Sequence, residues 1–255
     1  MRQGLFEVLR VKYGIVVPVY NHGKPAYYET ETLIGFGYPV ILVNDGSLDD
    51  TKAWLEKAKG LSSLVTVVTL DKNSGKGGAL KAGFKTAQEM GLSHVLQVDA
   101  DGQHDLSRIP HFIALSEENP DAQIIGYPEY DDTVPESRKE GRKIANNSCA
   151  VALLSRTAVK DAMCGFRVYP VDKAVEVLSH GLFDLRMGFD IEIVVKLYRK
   201  GVRVVNESVK VTYPEGGTSN FHMVRDNVRI SLVFTRLICT VPFHLPTLLS
   251  MRRKG

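Results

Sequence analysis

The sequence is poor in the features that mark several special classes of protein. It has only three cysteines, Cys149, Cys164 and Cys239. They are odd in number, scattered and without metal-ligand spacing, which excludes a disulfide scaffold and leaves free thiols suited to a reducing compartment. Net charge is scarce as well: 32 Lys and Arg against 29 Asp and Glu give a formal +3. So small a balance supplies no electrostatic footprint for nucleic acid, and basic residues cluster only locally, at 138–143 and 252–254. No apolar run reaches the roughly 20 residues a membrane-spanning helix needs. The longest uncharged stretch near the end, 237–251, is interrupted by Pro242 and Pro246. Residues 1–10 are mixed in character and do not resemble a signal peptide. Repeats and low-complexity linkers are absent too. The expectation is a soluble or peripheral protein of the cytoplasm.

What is present is ordinary in amount and informative in order. With 44% hydrophobic and 24% charged residues, the 255-residue chain can bury one α/β core. Residues 13–19 form a continuous apolar run that ends in the polar loop 20–24, as a buried parallel strand does. Residues 40–43 repeat the pattern and enter Asn44-Asp45-Gly46-Ser47, after which Asp49 or Asp50 is placed to cap a helix carrying Trp54 and Leu55. A third strand at 65–70 precedes a loop at 73–78 and a helix to about Met90, and a fourth at 95–98 ends at Asp99. This alternation predicts an α/β fold with a doubly wound, mostly parallel sheet and helices on both faces. In such sheets ligands bind outside the carboxyl ends of the strands, where Tyr20, Asn21, Asp45, Lys76, Asp99 and Asp101 fall.

The second half is less regular. Residues 126–140, with Pro128 and Pro135, read as a long loop, and a helix is expected from about Ser137 to Thr157. A short strand at 164–169, a helix at 190–199, a strand or hairpin at 202–212 and a loop at 214–219 follow. A last helix is expected from about Val224 to Val241, with Arg225, Arg229 and Arg236 on one face and Ile230, Phe234, Leu237, Ile238 and Val241 opposite. Such a helix suits either a membrane interface or packing on the domain, and the apolar, then basic, tail after it leans towards the membrane.

The most informative feature is Asp99-Ala100-Asp101-Gly102-Gln103-His104-Asp105, directly after an apolar strand. Two carboxylates one residue apart can approach one hard cation, Mg²⁺ or Mn²⁺, that also holds a substrate diphosphate. The same residues could merely shape a turn or cap a helix near Leu106. Two other nucleotide sites are excluded. Lys76 is followed by Gly77 and lacks the spacing of a Walker A loop, and no Gly-x-Gly-x-x-Gly follows the first strand.

Four motifs occur in order: Val16-Val17-Pro18-Val19-Tyr20-Asn21, Val43-Asn44-Asp45-Gly46-Ser47-Leu48-Asp49-Asp50-Thr51, Asn73-Ser74-Gly75-Lys76-Gly77-Gly78-Ala79-Leu80 and Asp99-Ala100-Asp101-Gly102-Gln103-His104. In this the chain resembles family 2 glycosyltransferases over roughly residues 12–220, and most their dolichyl-phosphate mannosyltransferase branch. The resemblance implies a GT-A fold over 1–222, a nucleotide-sugar half at about 12–105, an acceptor half at about 106–222, and a C-terminal appendage at 223–255. It implies inverting transfer from a UDP- or GDP-sugar with a divalent metal. Pro18 and Tyr20, with Asn21 beside them, would line the base pocket. Asp45 would hydrogen-bond the base or ribose, and Lys76 would lie by the nucleotide. Asp99, Asp101 and Gln103 would form the sugar-diphosphate and metal site. Asp45 also suits a structural turn, and Tyr20 a core.

On the acceptor side, Arg138 and Arg142 are four apart and would share a helix face, where guanidinium forks suit phosphate. The resemblance implies that they bind a polyprenyl-phosphate acceptor; a solvated face is the plainer reading. Cys164-Gly165-Phe166-Arg167 and Gly188-Phe189-Asp190-Ile191-Glu192 match two further family landmarks. Asp190 is the general base if the acceptor is a hydroxyl, unless it caps a helix; an ionised lipid phosphate needs none. Residues 215–221 resemble a loop that closes over the donor, with Asn220 where many relatives carry lysine. A soluble saccharide acceptor, or a non-catalytic protein that binds nucleotide sugar, remain open alternatives.

Overall fold

Along residues 13–19, Tyr13, Ile15, Val17 and Val19 point to one side and Val16 to the other, and all are buried. A strand buried on both faces belongs in the middle of a sheet covered on both sides. The computed structural model, which describes residues 12–48, 50–130, 134, 136–211 and 223–254, places it there. The strands are β1 (Tyr13–Val19), β2 (Val40–Asn44), β3 (Val65–Thr69), β4 (His94–Gln97), β5 (Gln123–Tyr130), β6 (Arg167–Pro170) and β7 (Val204–Val211). They form one seven-stranded sheet in the order β3-β2-β1-β4-β6-β5-β7. Every neighbouring pair is parallel except the two that involve β6, which is antiparallel to both β4 and β5.

The helices are α1 (Gly23–Leu33), α2 (Thr51–Lys59), α3 (Lys76–Glu89), α4 (Ile109–Glu118), α5 (Glu136–Leu153), α6 (Val171–Ser179), α7 (Phe189–Arg199), α8 (Met223–Cys239) and α9 (Val241–Lys254). Ala26, Leu33, Leu55, Ala58 and Phe112 of α1, α2 and α4 pack on the sheet face that carries Ile15 and Leu42. Leu80, Phe84, Val177 and Ile193 of α3, α6 and α7 pack on the opposite face, against Val16 and Ile41. A third cluster joins α5, α7, α8 and α9. The sheet is therefore mostly parallel with helices on both faces, as expected.

Several local expectations are corrected. Residues 126–130 are strand rather than loop, because β5 pairs with β7 along its whole length, from Gln123 opposite Val204 to Tyr130 opposite Val211. Pro128 is tolerated because β6 pairs with β5 only at Ile124 and Ile125, which leaves the other edge open at Pro128. Asp50 stands at the N-cap of α2, yet its carboxylate accepts from the Trp54 indole N–H at 2.8 Å rather than from the backbone. Asp49 and the loop at 214–221 lie outside the described residues.

The chain beyond residue 240 is helical despite its prolines. Pro242 falls in the first turn of α9, where a missing N–H costs nothing, and Pro246 is accommodated inside. Helices α8 and α9 meet at a 75° bend, and no single described helix is long and apolar enough to cross a membrane. The apolar stripe of α8 packs on the domain, with Ile230, Val233, Phe234 and Leu237 buried against α5 and α7. A different stripe, Val224, Val228 and Leu232, is exposed.

Candidate active site

A cavity of about 460 Å³ opens at the carboxyl ends of β1, β2 and β4. Its walls include Pro18 and Tyr20 after β1, Asp45 after β2, and Lys76 at the start of α3. Asp99, Asp101 and Gln103 enter after β4, Asp190 from α7 and Arg142 from α5. Asn21 does not line it. That residue adopts a left-handed φ of 54° and ties two loops together: its N–H donates to Ser47 Oγ and its Oδ1 accepts from the Leu48 N–H, both at 3.0 Å. The Arg138 side chain lies outside the described residues.

The centre of the cavity is an ion triad. Lys76 Nζ lies 2.7 Å from Asp99 Oδ1 and 2.7 Å from Asp190 Oδ2. Burial pulls the Lys76 ammonium towards neutrality, but the Asp190 and Asp99 carboxylates more than reverse this and hold it firmly charged. Burial likewise raises the Asp99 carboxyl, and Lys76 first, then His104, bring it below its ordinary value. Asp190 is in the first turn of α7 but does not cap it: its Oδ1 accepts from Gln97 Nε2 at 3.0 Å and its Oδ2 from Lys76.

The antiparallel β6 explains how this cluster is built. Its start lies beside the end of β4, with Arg167 opposite Gln97. The Arg167 side chain is fully buried and donates to the carbonyls of Ala162, at 2.8 Å, and Asp190, at 2.6 Å, so one guanidinium locks the 162–166 segment to α7. Nothing in the order of residues along the chain gives Arg167 or Gln97 a role. A charged residue inside the apolar run Phe166-Arg167-Val168-Tyr169 was the available signal. Arg142 lines the cavity while its Nη1 donates to both oxygens of the buried Asp161 at 2.8 and 2.7 Å, which fixes the guanidinium in place.

The first turn of α3 cannot cradle a phosphate. The N–H groups of Gly77 and Gly78 already donate to the Leu185 carbonyl, at 2.9 and 3.2 Å. Asp45 accepts from the Ser74 and Gly75 N–H groups at 2.7 and 2.8 Å, which fixes the loop before Lys76. Gly75 has φ 86° and lies against Leu185 and Arg186, so a side chain there would meet both backbone strain and a collision. Arg186 in turn donates to Asn73 Oδ1 at 2.8 Å; both residues line the cavity, Asn73 as the first residue of the third motif and Arg186 with no sequence signal.

Asp101 is the carboxylate with capacity to spare. Its Oδ1 accepts only the Gln103 N–H, at 3.1 Å, and burial, followed by the nearby Asp99 charge, raises its carboxyl. Glu29 is buried behind the pair, its oxygens without a hydrogen-bond partner; burial, then Asp101 and Asp99, push its carboxyl well above the usual range. Among the described residues no three His, Cys, Asp or Glu side chains converge on one point as a closed metal site. The residues nonetheless fit a divalent ion. Asp99, Asp101 and Gln103 are oxygen donors on one short loop, and two like charges crowded together gain from a hard cation that takes its remaining ligands from substrate and water. His104 belongs to the same loop. Burial keeps its imidazole below its ordinary value despite Asp99 and Asp101, and its Nδ1 is buried without a partner.

Helix α8 reaches the cavity with Arg225 and Asp226. It is also tied to the loop that carries Arg186, because Glu192 of α7 accepts from Arg236 at 2.6 Å and from the Asp184 N–H at 2.8 Å. One further residue has a testable consequence. A Cβ on Gly165 would strike the Asp99 carboxylate itself. Gly165→Ala is expected to leave the melting temperature within a few degrees of wild type while lowering the affinity for any ligand held through Asp99 at least about tenfold, because it displaces the carboxylate rather than the core. Isothermal titration checks it, and unchanged affinity would mean that the Asp99 position is immaterial.

The family model described as glycosyl transferase family 2 matches residues 14–173. The dolichyl-phosphate beta-glucosyltransferase of Dictyostelium discoideum is 28% identical over 243 residues, which is 85% of this chain and 72% of that protein. The undecaprenyl-phosphate 4-deoxy-4-formamido-L-arabinose transferase of Yersinia pestis is 28% identical over 250 residues, 93% of this chain and 70% of the other. Among solved structures, a mannosyltransferase of Pyrobaculum calidifontis in complex with GDP-Man and Mn²⁺ superposes with a TM-score of 0.57 at 15% identity, covering 94% of this chain and 73% of that one. S. aureus TarS superposes with a TM-score of 0.56 at 21% identity over 79% of this chain, which spans only 37% of TarS. These structural likenesses establish a shared fold.

Proposed function

The chain belongs to glycosyl transferase family 2 and is a glycosyltransferase of GT-A fold, and from that premise we propose that it transfers a sugar, with inversion, from a UDP- or GDP-sugar to a polyprenyl phosphate with the help of Mg²⁺ or Mn²⁺. The observation that carries the reading is the convergence of Asp99, Asp101, Lys76 and Asp190 in one cavity at the carboxyl edge of the sheet. Pro18 and Tyr20 form the wall on which a nucleobase packs, and Asp45 stands where it can meet the base or ribose. Asp99, Asp101 and Gln103 hold the metal, which when bound offsets charge on the leaving diphosphate. Lys76 adds a fixed positive charge beside it, and Asp190 keeps that ammonium in place.

The state of Asp190 supports a phosphate acceptor over a hydroxyl. Both of its oxygens already accept from protein donors, Gln97 and Lys76. It is better built to orient Lys76 than to take up a proton, and an ionised phosphate asks for no base. The relatives named for dolichyl and undecaprenyl phosphates point the same way. A lipid acceptor also calls for contact with a membrane surface, here its cytoplasmic face. The exposed Val224, Val228 and Leu232 of α8 and Phe243, Leu245 and Leu249 of α9 are the apolar groups that would meet it.

Calorimetric titration with UDP- and GDP-sugars, in Mn²⁺ or Mg²⁺ and then in EDTA, tests the proposal. One donor is expected to bind, and chelation to weaken it at least about tenfold. Well-folded protein that binds no donor, or binds one equally in EDTA, contradicts the reading.

A further inference from the structure

A second, larger cavity of about 920 Å³ lies away from the donor pocket. Val204, the first residue of β7, lines it, whereas Val211, the last residue of the same strand, lines the donor pocket. At about 3.3 Å per residue the two ends of β7 are about 23 Å apart. The second cavity is therefore at the amino edge of the sheet, beyond reach of the chemistry around Asp101.

Its walls are of two kinds. Ala150, Val151, Leu154, Tyr198 and Met251 supply an apolar lining from α5, α7 and α9. Arg156, Arg203 and Arg252 bring three cations from three separate stretches of chain, and no acidic side chain lines the cavity. None of the three has an ion-pair partner among the described residues. The neighbouring ends of α5, α7 and α9 explain part of this positive charge, since cations favour helix carboxyl ends. At about half a negative charge each, three such ends offset about half of three arginines, and the surplus remains positive. The turn that delivers Arg156 is held against a backbone cost: Leu154 adopts φ 52°, unusual for a residue with a side chain. Val151 is 52% exposed at the rim, so the apolar wall continues to the surface.

We propose that this cavity binds an anionic amphiphile, a phosphate headgroup on a short apolar body, as a second site separate from donor and acceptor. The arginine forks take the phosphate oxygens, and the Val151–Leu154–Met251 wall takes the first part of the chain. The proposal rests on this cavity alone and stands or falls independently of what the donor pocket holds.

The test is isothermal titration of the full chain with dihexanoyl-phosphatidylglycerol below its micelle concentration, beside dihexanoyl-phosphatidylcholine and glycerol phosphate. Saturable binding of the anionic lipid is expected, with the choline lipid and glycerol phosphate each at least about tenfold weaker. The double variant R156E/R203E should lose the binding about tenfold or more, and V151N, which adds polarity without charge, should weaken the acylated ligand while leaving glycerol phosphate unchanged. Both variants alter exposed rim residues, so circular dichroism melts should stay within a few degrees of wild type, the small loss in R156E/R203E being that of two acids placed near helix carboxyl ends. Absence of saturable binding, or binding indifferent to R156E/R203E, overturns the site. Glycerol phosphate binding as tightly as the lipid overturns the amphiphile and leaves a free phosphate compound as the occupant.

Discussion

Asp101→Asn is expected to lower sugar transfer by roughly 10³-fold while the protein melts at the same temperature as wild type or slightly above it. The two halves of this expectation have one cause. Burial and the Asp99 charge raise the Asp101 carboxyl, so the folded state prefers it protonated. Above that raised value its ionised form costs stability, a cost that is fully present at high pH and relieved as pH falls. Asparagine removes the charge and keeps the Oδ1 acceptor for the Gln103 N–H. A residue whose charge burdens the fold and whose loss abolishes activity is held for its chemistry. Activity assays and thermal melts of the same preparation decide it. Transfer within about threefold of wild type would remove Asp101 from the site, and a large fall in melting temperature would make its role structural.

How much of this was legible in the sequence follows from where each residue sits. Tyr20, Asp45, Asp99 and Asp101 lie at the ends of apolar runs and Lys76 at the end of the loop after one, and once those runs are read as parallel strands the residues must meet at one edge. Gln97 and Arg167 could not be found that way. Their partnership with Asp190 depends on β6 running against its neighbours, and a four-residue strand gives no sign of its direction. Spacing on a helix puts Arg142 on a face, but it does not show the buried Asp161 that holds its Nη1. The strand at 126–130 and the helix after residue 240 were missed for one reason. Proline reads as a break in one dimension, whereas an open edge and a first helical turn both admit it. Helix α8 illustrates a different limit: its pattern has two apolar stripes, and only the packing of α5 and α7 against one of them shows which is left outside.

The second large effect concerns the ammonium at the centre of the triad. Lys76→Met should destabilise the fold by about 3 kcal/mol, because it keeps the volume and leaves the buried Asp190 and the part-buried Asp99 with no shared counter-ion. For a chain of this length that is a fall of roughly 10 °C in melting temperature. The loss should also depend on pH in a definite direction. In the wild type, Lys76 and His104 hold the Asp99 carboxyl below its ordinary value against the opposing effect of burial. Ionised Asp99 therefore contributes stability above its unfolded value, and that contribution is lost as pH falls through the depressed folded value. In the variant, burial acts on Asp99 without the lysine, its folded carboxyl rises, and ionising it costs stability that acid restores. The gap between the two proteins should be widest where Asp99 is ionised in both and narrow as the pH falls. Adding Asp190→Asn to the variant should recover part of the loss, although the same change alone weakens the wild type, since it removes one of the two stranded charges. A gap that is constant with pH, or an Asp190→Asn change that costs as much in the variant as in the wild type, would show that the lysine acts by its packing. The triad would then be no electrostatic unit, and Lys76 would have to be held for the nucleotide alone.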